Sequence, residues 1–345
     1  SGGVLRVGPQ SAGAEPGPVC YGRGGTQPTI TDANLLLGRI NPNYFLGGDM
    51  SLSVEAAEES IKERIASPLG LDSVEAAAGV IRVSNSVMLQ SMRAGSVEKG
   101  YDPRDFTTIS YGGAGPIVAG TLARELGCSR LIVPPFPGIF SAIGMLVADI
   151  RFDSIRSHIC SMRTAEVESL NKAYDEMSVE ATASLRSQGY EGTPTMIRTA
   201  DLRYEWQNYE VETSVPPGSL KEEDLATIVH NFHEEHKKLY GHAKLEEPTE
   251  LVAVRLAAIG ASTKPKLQQV PTSDNEERAV KGERAVYFEE VKRFISCPIY
   301  ERSNLGAGVQ LRGPAVIEEM DSTIVLYPNQ TATVAQNGSI VVELT

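Results

Sequence analysis

The segment best equipped for chemistry is Tyr111-Gly112-Gly113-Ala114-Gly115-Pro116. Residues 105–111 before it read as a strand, and the residues after it as a helix reaching residue 126. Two successive glycines remove the Cβ atoms that would keep a ligand off the backbone. The helix behind them offers unpaired N–H groups and the positive end of its dipole to such a ligand. Pro116 fits a first helical turn, where its missing N–H needs no partner. The same pattern also serves a tight packing turn with no ligand. It is neither GxGxxG nor GxxxxGK[ST], so the chain carries no dinucleotide fingerprint and no P-loop.

Other reactive side chains fit plainer roles. His230, His233, His236 and His242 lie close in sequence. The run His233-Glu234-Glu235-His236 is one residue short of HExxH. On a helix its two histidines are neighbours that could share a zinc ion. No third ligand accompanies them and His236 falls on the apolar face, so a packed, hydrogen-bonded helix is the better reading, and no metal site is expected. Cys20 sits in a Pro-Gly loop and could act as a nucleophile. With no His or Lys nearby in sequence, it reads instead as a small buried residue. The four cysteines (Cys20, Cys128, Cys160, Cys297) show no CxxC, which favours a reduced, cytoplasmic setting. Glu318, Glu319 and Asp321 suggest either a cation site or, more simply, the solvated end of a strand. Trp206, the single tryptophan, belongs at an interface or in a core.

The elements that must position these groups follow from periodicity. Residues 4–7 read as a short strand and 8–29 as an ordered Gly- and Pro-rich loop. Helices are predicted over 31–37, capped by Thr31 or Asp32, over 54–66, and over 73–95 with Asp72 or Ser73 as cap. A strand at 131–133 and a helix at 140–148 follow. Residues 30–149 thus alternate helix and strand, which points to an α/β domain. Beyond them, strands at 151–159, 196–204, 209–213 and 251–258 flank two amphipathic helices. The helix over 165–188 places Leu170, Tyr174, Met177, Ala181 and Leu185 on one face. The helix over 220–240 does the same with Leu225, Ile228, Phe232, His236 and Leu239. Residues 263–283 read as a linker or long loop. Short strands at 285–288, 299–301, 315–318, 323–327, 331–335 and 339–344 end the chain, with Asn337-Gly338 as a hairpin turn. The division is therefore 1–149, 150–262, 263–283 and 284–345.

Composition bounds the function classes. With 345 residues, two or three domains are expected. The 32 basic and 44 acidic residues leave a net charge of −12, which disfavours a nucleic-acid face or a polybasic membrane anchor. No apolar run approaches the ~20 residues of a membrane span.

The chain resembles the hydantoinase A / 5-oxoprolinase / acetone carboxylase family in ordered blocks along nearly its whole length. The first block is Val7-Gly8-Pro9-Gln10-Ser11-Ala12-Gly13-Ala14-Glu15-Pro16-Gly17-Pro18-Val19-Cys20-Tyr21-Gly22. Thr31-Asp32-Ala33-Asn34-Leu35, the Gly112-Gly113 turn, Val133-Pro134-Pro135 and Gly138-Ile139-Phe140-Ser141-Ala142-Ile143-Gly144 follow in order. Asp201-Leu202-Arg203-Tyr204, the 232–236 run, Tyr300-Glu301-Arg302 and Gly313-Pro314-Ala315-Val316-Ile317-Glu318-Glu319 continue the likeness. A sugar- or acetate-kinase relative would not explain the first block.

The resemblance implies an α/β fold: part of an actin/hexokinase-like ATPase lobe, then an α+β region and a small β-rich C-terminal unit. It implies that Gly112, Gly113, Ala114 and Gly115 contact adenosine. Ser84, Asn85 and Met88, on the preceding helix, would line the adenine pocket, and Asp32 and Asn34 would lie near the cleft. The family uses ATP, with Mg²⁺, to open cyclic amides or to carboxylate ketones, commonly with a second subunit of hydantoinase B type in an oligomer. The resemblance names no catalytic residue here. The family's Asp-x-Gly-Gly-Thr phosphate loop and its second Gly-rich loop are absent. Ser1-Gly2-Gly3, with no initiating Met, resembles the tail of the segment after that second loop. The expectation is the C-terminal half of a longer ATP-dependent cyclic-amide hydrolase. The alternatives are a ketone carboxylase subunit and a non-catalytic scaffold whose glycine turn serves packing.

Overall fold

The computed structural model describes residues 4–265, 269–273 and 275–344. The Ser1-Gly2-Gly3 start and part of the 263–283 segment lie outside the described residues. Residues 4–7, expected as a strand, run without regular structure. Helix α1, Ile30–Leu36, is capped two residues before the nearer of the predicted caps. Thr29 is the N-cap, and Asp32 completes a capping box with it. Ser53 caps α2, Val54–Ile61, whose chain passes through one wide turn, Lys62–Ala66, into the short α3, Ser67–Leu69. Asp72 and Glu75 form the capping box of α4, Ser73–Gly95. Its buried Ala76, Ala77 and Ala78 let neighbouring elements approach closely.

Strand β1 is only Thr108–Ile109, shorter than the expected 105–111. Helix α5, Gly115–Glu125, leads to β2, Arg130–Val133, which pairs with β1 in parallel. Helix α6 covers Phe140–Val147.

Two compact units divide the chain: residues 4–143 with 269–344, and residues 144–265. The second unit is a four-stranded antiparallel sheet backed by two helices. Strands β3, Ile150–Ser161, β4, Thr195–Tyr204, β5, Val211–Ser214, and β6, Thr249–Gly260, run in the order β3-β6-β4-β5. Helices α7, Val167–Ser187, and α8, Glu222–Tyr240, share one core with the sheet. All five predicted apolar positions of α7 are buried. On α8, Leu239 instead stands exposed, and His233 takes a buried place beside His236.

The remaining strands complete the first unit. Strand β7, Val280–Phe288, starts inside the span read as linker. Strand β8, Arg293–Glu301, pairs with it and lies parallel to β10, Ala315–Glu319, while β11, Ser322–Leu326, closes a sheet of order β11-β10-β8-β7. Strand β9, Gln310–Arg312, went unread in the sequence. Strands β12, Thr331–Val334, and β13, Ile340–Glu343, form the predicted hairpin. They do not form a separate β-rich unit, because β13 pairs with β2 in the five-stranded sheet β1-β2-β13-β12-β9. Residues 284–344 therefore share a fold with 4–143.

The Gly- and Pro-rich loop is ordered by one carboxylate. Asp32, fully buried, accepts hydrogen bonds from the N–H groups of Cys20 (2.7 Å), Val19 (3.3 Å) and Thr29 (2.7 Å), and from Thr29 Oγ1 (2.8 Å). Replacing it strands buried donors, each unmade bond costing about 1–3 kcal/mol. Asp32→Ala is expected to lower unfolding stability by about 3 kcal/mol or more. Denaturant unfolding measures this, and an unchanged midpoint would contradict the anchoring role.

Candidate functional site

The Gly112-Gly113 turn stands where the sequence places it, between β1 and α5. Gly112 has φ 87°, a left-handed conformation that glycine adopts without strain. Its N–H donates to Pro137 O at 2.7 Å. Ser322 Oγ donates to Gly112 O at 3.1 Å, with Gly113 O also in reach at 3.4 Å. A Cβ on Gly113 would stand 3.0 Å from Asp321 O, so this backbone is held close to the β10–β11 turn. Ala114, the N-cap of α5, supplies no side-chain cap to the helix. Tyr327 OH secures the start of α5 by donating to Ile117 O at 2.9 Å.

Gly113 and Ala114 form one wall of a cavity of about 270 Å³ within the first unit. Tyr21, Tyr44 and Phe45 supply aromatic surface, and Glu318, Glu319 and Asp321 supply carboxylates. Among the described residues no Lys or Arg lines it. Of the other expected site residues, Asp32 and Asn34 are buried and do not line this cavity. Asp32 anchors the loop, and Asn34 accepts from Arg39 Nη1 at 3.3 Å. Ser84 and Asn85 are buried on α4, and Met88 packs against the same core. None of the three lines the cavity, although Asn85 Oδ1 is buried without a partner.

The acidic pair is not the solvated strand end that its composition suggests. Glu318 is 1% exposed. It receives Arg284 Nη1 at 2.7 Å, Lys281 Nζ at 3.1 Å and Asn41 Nδ2 at 3.2 Å. Lys281 also reaches Glu301 at 3.0 Å and lies over the Tyr44 ring. Lys281 and Arg284 are three apart, which in a regular strand puts them on opposite faces. A register shift between Val280 and Gly282 brings both to Glu318. Glu319 pairs with Arg302 at 2.7 Å. Burial pushes its carboxyl up from the usual range, and Arg302 opposes that shift. The signal missed in the sequence is the unbroken run Ala315-Val316-Ile317, which marks a strand buried on both faces.

The remaining reactive side chains are accounted for locally. Cys20 is buried, and its thiol is pushed well up by burial and then by its contact with Asp32, which removes it as a nucleophile. The four cysteines are all free. Trp206 is 98% exposed at the end of β4, so a core role is overturned. Tyr204 OH accepts from Lys244 N at 2.7 Å and meets His233 Nδ1 at 3.0 Å. His236 Nδ1 donates to His242 O at 2.8 Å. Among the described residues no group of three or more His, Cys, Asp or Glu side chains converges as metal ligands do. No described helix is long and apolar enough to cross a membrane.

Comparison with known proteins places this geometry. A family model described as hydantoinase/oxoprolinase matches residues 1–154, and one described as the hydantoinase/oxoprolinase C-terminal domain matches 160–340. The chain belongs to the hydantoinase/oxoprolinase family. An uncharacterized protein of Methanocaldococcus jannaschii is 39% identical over 99% of the chain and 48% of its own length. The caprolactamase subunit alpha of Pseudomonas jessenii is 34% identical over 94% of the chain and 48% of its own length. The crystal structure of the ATP-dependent caprolactamase from that organism superposes with a TM-score of 0.87 at 32% identity, covering 99% of this chain and 50% of that one. A nucleotide-free acetone carboxylase structure gives a TM-score of 0.79 at 27% identity, with coverage of 99% and 50%. The chain thus spans about half the length of the curated hydantoinase/oxoprolinase relatives it matches.

The histidines yield a pH prediction. Burial lowers the His233 pKa, and nearby His236 and His230 lower it further. An unfolded histidine titrates near 6.5. Between that value and the lower folded one, the unfolded chain binds more protons. Stability from this group is complete above pH 6.5 and falls as pH drops below it. His233→Gln should flatten the pH dependence of the denaturation midpoint between pH 6.5 and 5. Equal slopes in both proteins would refute the assignment.

Proposed function

We propose that this chain supplies the adenosine side of a nucleotide site in an ATP-dependent hydrolase of cyclic amides. The observation that carries the reading is the Gly112-Gly113 turn, bare of Cβ atoms and clamped by Ser322, in a chain that superposes on an ATP-dependent caprolactamase. Gly112, Gly113, Ala114 and Gly115 would contact the nucleoside. Asn85 and Met88 on α4, with Asp32 and Asn34 on α1, lie in the same unit and would take part in the wider nucleotide cleft. The lobe would belong to an actin/hexokinase-like ATPase. The reading gives the β- and γ-phosphates and Mg²⁺ to loops on the remaining half of a longer polypeptide.

ATP would transfer its γ-phosphoryl group to the amide oxygen. ADP leaves, and water adds at the activated carbon. The C–N bond breaks as the nitrogen takes up a proton, and the ring opens to an acyl phosphate. A second water cleaves the acyl phosphate to the amino acid and inorganic phosphate. Catalysis of phosphoryl transfer is mostly positioning and charge stabilisation, so a lobe that fixes adenosine contributes directly. A second subunit of hydantoinase B type would complete the reaction in an oligomer. A ketone carboxylase is the second reading, favoured by the acetone carboxylase likeness. It would spend the same phosphoryl transfer on an enolate or carboxylate oxygen.

ATP consumption by the full-length protein, with its partner subunit, on a panel of cyclic amides and ketones separates the two readings. Turnover on amides alone is expected. Gly113→Val, which forces side-chain atoms toward Asp321 O, should reduce ATP-dependent turnover by about 100-fold, the order lost when a bound group is misplaced by 1 Å. Unchanged kinetics would sink the adenosine assignment.

A further inference from the structure

Trp206 stands in solvent at a position that suits a glycine. The geometry points to a docking anchor: Trp206 and its neighbours engage a separate polypeptide that offers an apolar socket rimmed by Lys and Arg. This inference rests on the second-subunit reading above and gives that subunit a place to bind. Gln207 N donates to Tyr204 O at 3.1 Å, which closes a four-residue turn with Trp206 in its third position. Trp206 has φ 71°, the left-handed conformation that a type II turn demands there and that Gly or Asn meets without strain. For a bulky side chain that conformation is strained. Burial returns nothing for it, because Trp206 is 98% exposed. What this tryptophan contributes therefore lies outside the core of its own unit.

The connection between α8 and β6 lies beside this turn. Glu205 N donates to Pro248 O at 2.9 Å, and Lys244 N to Tyr204 OH at 2.7 Å. Between them the two connections leave Tyr209 and Leu245 in solvent, and Tyr240 at the end of α8 is half exposed. Trp and Tyr are the side chains that most often carry the binding energy of an interface, since they bury much area at little entropic cost. The same two connections carry Glu205, Glu210, Glu246 and Glu247. Among the described residues, Glu246 and Glu247 have no ion-pair partner.

An apolar centre with an acidic rim selects its occupant. Two copies of this chain meeting here would set carboxylate against carboxylate, and the chain as a whole has a net charge of −12. An anionic membrane surface is repelled in the same way. A second subunit with Lys and Arg around an apolar socket is attracted, and opposite charges at the rim speed its approach.

Fluorine NMR of the 345-residue chain labelled with fluorotryptophan tests this, because its single tryptophan gives one resonance. Adding the unlabelled subunit of hydantoinase B type is expected to shift or broaden that resonance. Trp206→Asn places in the turn a residue that tolerates the left-handed conformation. It should hold or raise the denaturation midpoint while weakening subunit binding, read by calorimetric titration, by about 30-fold or more, the loss at an interface hot spot. Glu246→Lys combined with Glu247→Lys should slow association about tenfold at low salt, and the difference should fade as salt screens it. A resonance that ignores the subunit, or one that moves with the chain's own concentration, would overturn the inference. So would a Trp206→Asn chain that unfolds more easily, or a charge reversal that leaves association unchanged or speeds it. If Trp206→Asn binds the subunit as tightly as the parent chain and the full-length assembly still opens cyclic amides with ATP, the docking anchor fails and the proposed function stands.

Discussion

The buried carboxylate of Glu318 is the constraint around which the first unit is arranged. A charge inside a protein must be paired, and removing one partner of a buried pair costs roughly 3–5 kcal/mol. Glu318 on β10 therefore dictates where β7 and the loop after α1 can lie. Arg284 takes Glu318 and extends the link by donating to Gly38 O at 2.7 Å. Gly38 packs so tightly on β7 that a Cβ would collide with Ala285 O. The Leu37 carbonyl accepts from Tyr287 N at 2.9 Å, which fixes the same junction in the backbone. The two acids, Glu318 and Glu301, balance the two bases, Lys281 and Arg284, so the network closes without net charge. Tyr44 and Asn41 are drawn to it, and both face the cavity.

A second buried cation performs the matching task one residue further along β10. Arg302 is 9% exposed. It binds Glu319 and donates through Nη2 to the carbonyls of Pro134 (2.7 Å) and Gly338 (3.1 Å). Its planar fork can hold several acceptors at once, which a lysine cannot do. The end of β2, the β12–β13 turn and the acidic turn that faces Gly113 are thus set by one side chain. The candidate site owes its shape to residues near position 300 as much as to the glycine turn itself.

What the sequence could disclose follows from the range of each interaction. Helices α4 and α7 are governed by local caps and by apolar spacing, and the periodicity reads them to within a residue or two. The Gly112-Gly113 turn is legible because backbone freedom is written in residue type. Pairing between distant strands is not. Nothing near Ile340 announces that β13 lies against β2, so the C-terminal strands read as a separate unit. Glu318 looked solvated because a charged residue at a strand end normally is. Only the register shift in β7, which no local pattern encodes, turns two bases toward it. Asp32 was read as a cleft residue when its fourfold role as acceptor makes it a fastener of the preceding loop. Trp206 shows the opposite failure, an aromatic side chain that its own neighbourhood leaves in solvent.

The sheet order carries a consequence for how the molecule is made. Strand β13 separates β2 from β12, so the five-stranded sheet cannot close until residues 340–343 exist. The second unit, residues 144–265, has all its strands in one continuous stretch. During synthesis, with chain elongation at about 5–20 residues per second, that unit can assemble while the first waits for its last strand. The apolar faces of α5 and β2 remain uncovered through the whole of that interval. The order of translation thus makes the earlier-synthesised unit the later one to fold.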